Sequence, residues 1–110
     1  MIDTHAHIYL PEFDFDRTQM IQRAKSAGVS KILLPAIDSE VINEMLHLAA
    51  TEKGYCLPMM GLHPCSVKNE FEKELSIVTE YLNNPEYDFI AVGECGLDYY
   101  WDKTFVPQQK

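Results

Sequence analysis

Hydrophobic positions along the chain alternate between short continuous apolar runs and longer stretches in which they recur at helical spacing. The opening MIDTHAHI predicts a first strand, interrupted at Pro11. Asp14 or Asp16 then caps a helix through RTQMIQRAKSA, with Met20, Ala24 and Ala27 on one face and Gly28 as its stop. KILLPAI is the second strand. Ser39 is placed to cap EVINEMLHLAATEK, a helix whose Val41, Met45 and Leu48 align beside Ile42 and Ala49 until Gly54 ends it. YCLPMMGLH is the third strand. Phe71, Leu75, Val78 and Leu82 mark a third helix closed by Asn83, Asn84 and Pro85, and DFIAVGEC is the fourth strand.

KILLPAI and FIAVGEC are unbroken apolar runs, as expected of parallel strands covered on both faces. A βαβαβαβ order with right-handed crossovers builds either an open doubly wound sheet or a barrel of eight such units. HIYLPEFD, after the first strand, contains no G-x-G-x-x-G and no Walker pattern, which weakens a nucleotide-binding open sheet. His5, His7, His63 and Glu94 instead fall at the C-terminal ends of strands one, three and four. Barrel enzymes build their active sites there.

Composition adds three constraints. At 110 residues, with 46% hydrophobic and 24% charged residues, the chain reads as one domain spanning 1–110. Nine Lys and Arg against seventeen Asp and Glu leave a net charge of −8, which argues against a broad basic surface for nucleic acid, although a bound divalent cation would attract phosphate locally. No basic leader precedes a long apolar stretch and no segment reaches the length of a membrane span, so the expected setting is cytoplasmic, without membrane contact. Cys56, Cys65 and Cys95 are odd in number and form no C-x-x-C pair, so they read as reduced, small buried hydrophobes.

The polar residues at the strand ends suggest chemistry. Residues two apart on a strand share a face, so the imidazoles of His5 and His7 reach one ion. Glu94 emerges from FIAV between Gly93 and Gly96, and a carboxylate leaving an apolar run needs a partner, either a local base or a metal that also accounts for the histidines. The expected ligand separations among His5, His7 and Glu94 are roughly 3 to 5 Å, because metal bonds to nitrogen and oxygen are about 2 Å long. His63, ahead of Pro64, either faces the same mouth or serves as a capping or core residue. Asp3 either supports the histidines or pairs with a local backbone group. Tyr99, Tyr100 and Trp101 offer stacking surface for a base or sugar, or packing. His47, inside a helix, is assigned no role.

Taken together, DTHAH, GLHP and VGECGLDYY, in this order and spacing, resemble the motifs of the TatD-related metal-dependent deoxyribonucleases. The resemblance covers Met1 to Lys110, with PQQK resembling the start of the next helix. It implies a TIM-type barrel with one or two divalent metal ions (Mg2+, Mn2+ or Zn2+). In that family the histidines matching His5 and His7 bind one metal, the glutamate matching Glu94 bridges two, and the histidine matching His63 is associated with substrate phosphate. The family also uses two further histidines and an aspartate from later strands, beyond this chain. Four strands are half of a barrel of eight, so the chain is expected to be the N-terminal half of one domain.

The resemblance implies a phosphodiester hydrolase acting on DNA, with Glu94 as the catalytic carboxylate. Two alternatives stand beside it. A His-x-His on a first barrel strand also resembles the wider metal-dependent amidohydrolases, and this particular chain is alternatively a non-catalytic product that self-associates.

Overall fold

A computed structural model describes residues 1–110. Four strands, β1 (Ile2–Asp3), β2 (Lys31–Pro35), β3 (Cys56–Met60) and β4 (Ala91–Val92), pair in parallel in the order β1-β2-β3-β4. The crossovers carry α1 (Arg17–Ser26), α2 (Ile42–Thr51) and α3 (Phe71–Asn83), and a short α4 (Val106–Gln109) follows β4. Neighbouring strands follow one another in sequence, as in a barrel wall, so the architecture is α/β and half of a TIM-type barrel. No helix is long and apolar enough to cross a membrane.

The βαβαβαβ order is as the hydrophobic rhythm predicts, but the strands are shorter. β1 stops at Asp3 rather than residue 8, and β3 stops at Met60 rather than His63. Beyond those points the chain stays close to its neighbours through single bonds, Ala6 N–H to the Leu33 carbonyl (3.1 Å) and His63 N–H to the Ile37 carbonyl (2.8 Å). The functional residues therefore sit on extended segments just past the strands, where the ladder has opened.

Packing covers one face of the sheet. Ile32, Leu34, Cys56 and Met60 join Ile21 of α1, Ile42, Met45 and Leu48 of α2, and Val78 of α3 in a single apolar core. Leu34, Met45 and Met60 are fully enclosed, each worth about 1.5–3 kcal/mol relative to an exposed side chain. On the alternate face, Leu33, Leu57 and Met59 are only half-buried. This corrects the expectation of strands covered on both sides. The fourth strand departs furthest: Ile90 and Val92 are exposed because nothing pairs with the outer edge of β4.

Local signals were met unevenly. Gly28 and Gly54 end their helices with φ of 87° and 78°, values that favour glycine. Ser39 does not cap α2, which starts at Ile42; its backbone N–H and its hydroxyl both donate to the Glu74 carboxylate on α3, at 2.9 and 2.6 Å. In α1 the buried residue is Ile21, while Ala27 is exposed. In α3, Val78 is buried with Ile77 and Tyr81 against the core, whereas Leu75 and Leu82 lie exposed. Of the three thiols only Cys56 is buried, its pKa pushed up to about 11 by desolvation; Cys65 is half-buried and Cys95 exposed.

Candidate metal centre

Three chain segments meet at the C-terminal edge of the sheet. The segment after β1 carries His5 and His7, held from below by two devices. Asp3 accepts the backbone N–H of His5 at 3.1 Å, which assigns its carboxylate to a local backbone group. Arg17, in the first turn of α1, donates to the carbonyls of Ile8, Tyr9 and Leu10 at 2.7, 3.1 and 2.8 Å, gathering the turn that follows the histidines. A cation at a helix N-terminus is unfavourable for the helix itself. Its four bonds, the fourth to Asp14 at 2.7 Å, supply the compensation.

Glu94 is delivered by a close backbone approach. The end of β4 crosses toward β2, where Glu94 N–H donates to the Ala36 carbonyl and Ala36 N–H to the Gly93 carbonyl, both at 3.0 Å. Gly61 lies beneath this crossing. A Cβ there would stand 2.5 Å from the Glu94 carbonyl oxygen and 2.6 Å from the Gly93 carbonyl carbon, so only glycine fits.

The resulting geometry is tight. His5 Nε2 and His7 Nε2 are 3.1 Å apart, and they lie 3.1 and 3.3 Å from Glu94 Oε2. These ligand atoms all fall within 4.8 Å of one another, inside the separation expected from the sequence. Glu94 Oε2 is buried without a hydrogen-bond partner. A buried, unpartnered carboxylate oxygen facing two imidazole nitrogens is costly unless a cation lies between them. The donor set of two imidazoles and a carboxylate suits zinc and other first-row divalent ions. The residues therefore fit the implied metal.

His63 belongs to the same mouth but has a different chemical character. Its Nδ1 accepts the Cys65 backbone N–H at 3.0 Å, capping the short turn Pro64–Ser66. A neutral imidazole carries one N–H, so the proton sits on Nε2, which lies 3.1 Å from Glu94 Oε1. Both sequence readings of His63 hold at once: it caps a turn and it faces the site. With Nδ1 engaged as an acceptor, Nε2 is left as the donor face of the ring.

Electrostatics follow burial. His7 has its pKa lowered, chiefly by desolvation and then by the charge of His5. The Tyr9 hydroxyl is raised by burial and by the Asp38 and Glu94 carboxylates. Asp98, after β4, is lowered because the backbone N–H groups of Trp101 and Tyr100 donate to it. Tyr100 and Trp101 stack edge to face on each other at 4.8 Å and remain more than three-quarters exposed, so they do not pack into the core. His47 lies on α2 away from the centre.

The comparisons with known proteins decide the family. The family model described as TatD related DNase matches residues 2–110. This chain belongs to that family. The uncharacterized metal-dependent hydrolase YjjV of Escherichia coli (strain K12) is 36% identical over 109 residues, covering 99% of this chain and 42% of YjjV. The crystal structure of YjjV superposes with a TM-score of 0.85 at 33% identity, again over 99% of this chain and 42% of that one. The 3'-5' ssDNA/RNA exonuclease TatD of Erwinia billingiae is 29% identical over 99 residues, 90% of this chain and 37% of the relative. The chain thus spans about two-fifths of the length of the relatives it matches.

Tyr9, Arg17 and Gly61 were missed by sequence reasoning. Each left a signal: Tyr9 continues the alternation of His5 and His7 on one face, Arg17 is a cation at a helix start, and Gly61 stands at the end of an apolar strand.

Proposed function

We propose that these residues supply part of the metal centre of a hydrolase that cleaves phosphodiester bonds of DNA. The observation that carries the reading is the unpartnered Glu94 Oε2 between His5 Nε2 and His7 Nε2. Family membership and the exonuclease name of the Erwinia relative support the substrate class. A divalent ion, one or two of Mg2+, Mn2+ or Zn2+, supplies Lewis-acid polarisation of the phosphoryl group and activates water. His5, His7 and Glu94 hold it, and Glu94 is the catalytic carboxylate. His63 presents its Nε2–H at the mouth, 3.1 Å from Glu94 Oε1, where it donates to a non-bridging phosphate oxygen of the substrate. Three cysteines without a disulfide support a cytoplasmic setting.

Three ligand atoms are one short of a closed tetrahedral set. On this reading the 110 residues form one incomplete domain, silent alone, and cleavage requires further ligands from additional strands. The test is reconstitution: the chain joined to the part of YjjV beyond the matched region, assayed on single-stranded DNA with added Mg2+, Mn2+ or Zn2+. Metal-dependent cleavage that Glu94→Gln abolishes is the expected result. No cleavage, or cleavage indifferent to Glu94→Gln, refutes the proposal. Hydrolysis of amides but not DNA would favour the amidohydrolase reading.

A further inference from the structure

Tyr9 is 1% exposed, and its hydroxyl bonds to two groups. The Pro35 carbonyl oxygen lies 2.6 Å away and His7 Nδ1 lies 3.0 Å away. A phenol has one proton to give. The carbonyl has none, so the shorter contact takes the Tyr9 proton, and the phenolic oxygen is left as an acceptor toward His7. His7 Nδ1 is then the N–H partner. In the neutral ring this leaves the lone pair on Nε2, the atom 3.1 Å from His5 Nε2 and 3.3 Å from Glu94 Oε2.

We propose that Tyr9 is a positioning residue that, anchored on the Pro35 carbonyl, holds His7 in the Nδ1–H tautomer and aims its Nε2 lone pair into the metal centre. The contrast with His63 makes the arrangement selective. One buried acceptor, the Tyr9 oxygen, puts the His7 proton on Nδ1; one backbone donor, the Cys65 N–H, puts the His63 proton on Nε2. Two histidines facing the same carboxylate therefore carry opposite tautomers, one able to bind a cation and one able to donate to an anion. The anchoring depends on the turn that Arg17 gathers, since its guanidinium holds the Tyr9 carbonyl itself. Outer hydrogen-bond partners of this kind fix ring orientation and raise ligand basicity.

The proposal rests on reading His7 as a metal ligand, but the tautomer is measurable without metal. The experiment is a long-range proton–nitrogen NMR spectrum of the chain, labelled with 15N-histidine, at pH 8 and metal-free, followed by zinc titration of wild type and Tyr9→Phe. The expected spectrum shows His7 protonated at Nδ1 and His63 protonated at Nε2. In Tyr9→Phe the His7 proton moves to Nε2 and zinc affinity falls by about 10- to 100-fold, while the His63 pattern stays. A purely structural Tyr9 would lower the melting temperature without moving either the His7 tautomer or the zinc affinity, and that result overturns the proposal. So does a wild-type spectrum with His7 protonated at Nε2, which decides the matter even if Tyr9→Phe fails to fold. A wild-type chain with His7 in the expected tautomer and no zinc binding refutes the metal reading of this site and leaves the tautomer control by Tyr9 intact.

Discussion

Replacing Gly61 with alanine tests how the carboxylate is held in place. A Cβ at position 61 meets three backbone atoms, the Glu94 oxygen at 2.5 Å, the Gly93 carbonyl carbon at 2.6 Å and the Glu94 nitrogen at 2.9 Å. Ordinary contact begins near 3.4 Å, so the end of β4 must retreat by about 0.9 Å. The two 3.0 Å bonds joining Ala36 to Gly93 and Glu94 cannot survive a displacement of that size in full. Glu94 rides on this backbone, and a metal site tolerates errors of only about 0.2 Å in its ligand distances. The expected cost is about 1–3 kcal/mol in stability, the usual penalty of overpacking, and about 10- to 100-fold in metal affinity. Zinc calorimetry and urea unfolding measure the two effects separately. Gly54→Ala is the control: its Cβ meets nothing within 4 Å, so it carries only the left-handed backbone cost and leaves the metal untouched. Gly61→Ala binding zinc within twofold of wild type, at unchanged stability, would refute the close-approach argument.

Three further outcomes are expected. His63→Ala should keep its zinc and weaken binding of phosphate-bearing substrate in the reconstituted enzyme; loss of zinc stoichiometry by atomic absorption would make His63 a ligand instead. For Asp98 the folded pKa lies below its ordinary value near 3.8, because Trp101 and Tyr100 donate to it. Its hold on the 98–101 turn is therefore complete above that value and lost as pH falls through the lowered one, a step in Trp101 fluorescence that Asp98→Asn should abolish. The unpaired edges of β1 and β4, with Ile2, Ile90 and Val92 each more than half exposed, predict self-association of the 110-residue chain. Sedimentation showing a monomer across the micromolar range would count against that expectation.

The hydrophobic rhythm made the element order legible, because helical spacing in α2 and the apolar residues of β2 and β3 reflect a core that those elements build among themselves. Strand lengths were not legible, since where a ladder opens depends on the neighbouring strands and not on local pattern; at the edge strands β1 and β4, Ile2, Ile90 and Val92 read as buried while they stand exposed. Ser39 shows the same limit. Its sequence position suits a helix cap, but Glu74, thirty-five residues away, takes both its donors. At the site, His5, His7 and Glu94 were legible as chemistry because their polarity breaks an apolar pattern. Tyr9 and Gly61 act through geometry, a hydroxyl between the Pro35 carbonyl and His7 Nδ1 and a missing Cβ under a backbone crossing, so the faint signals they leave in the sequence acquire a meaning only once the strands are aligned.

The central claim is that His5, His7 and Glu94 hold one divalent ion. Crystals of the chain grown with zinc and measured on both sides of the zinc absorption edge test it most directly. The account predicts a single anomalous peak about 2.0–2.2 Å from His5 Nε2, His7 Nε2 and a Glu94 carboxylate oxygen, with His63 outside bonding distance. An anomalous map with no peak among these three residues, or with the ion bound through His63 in place of Glu94, would contradict it.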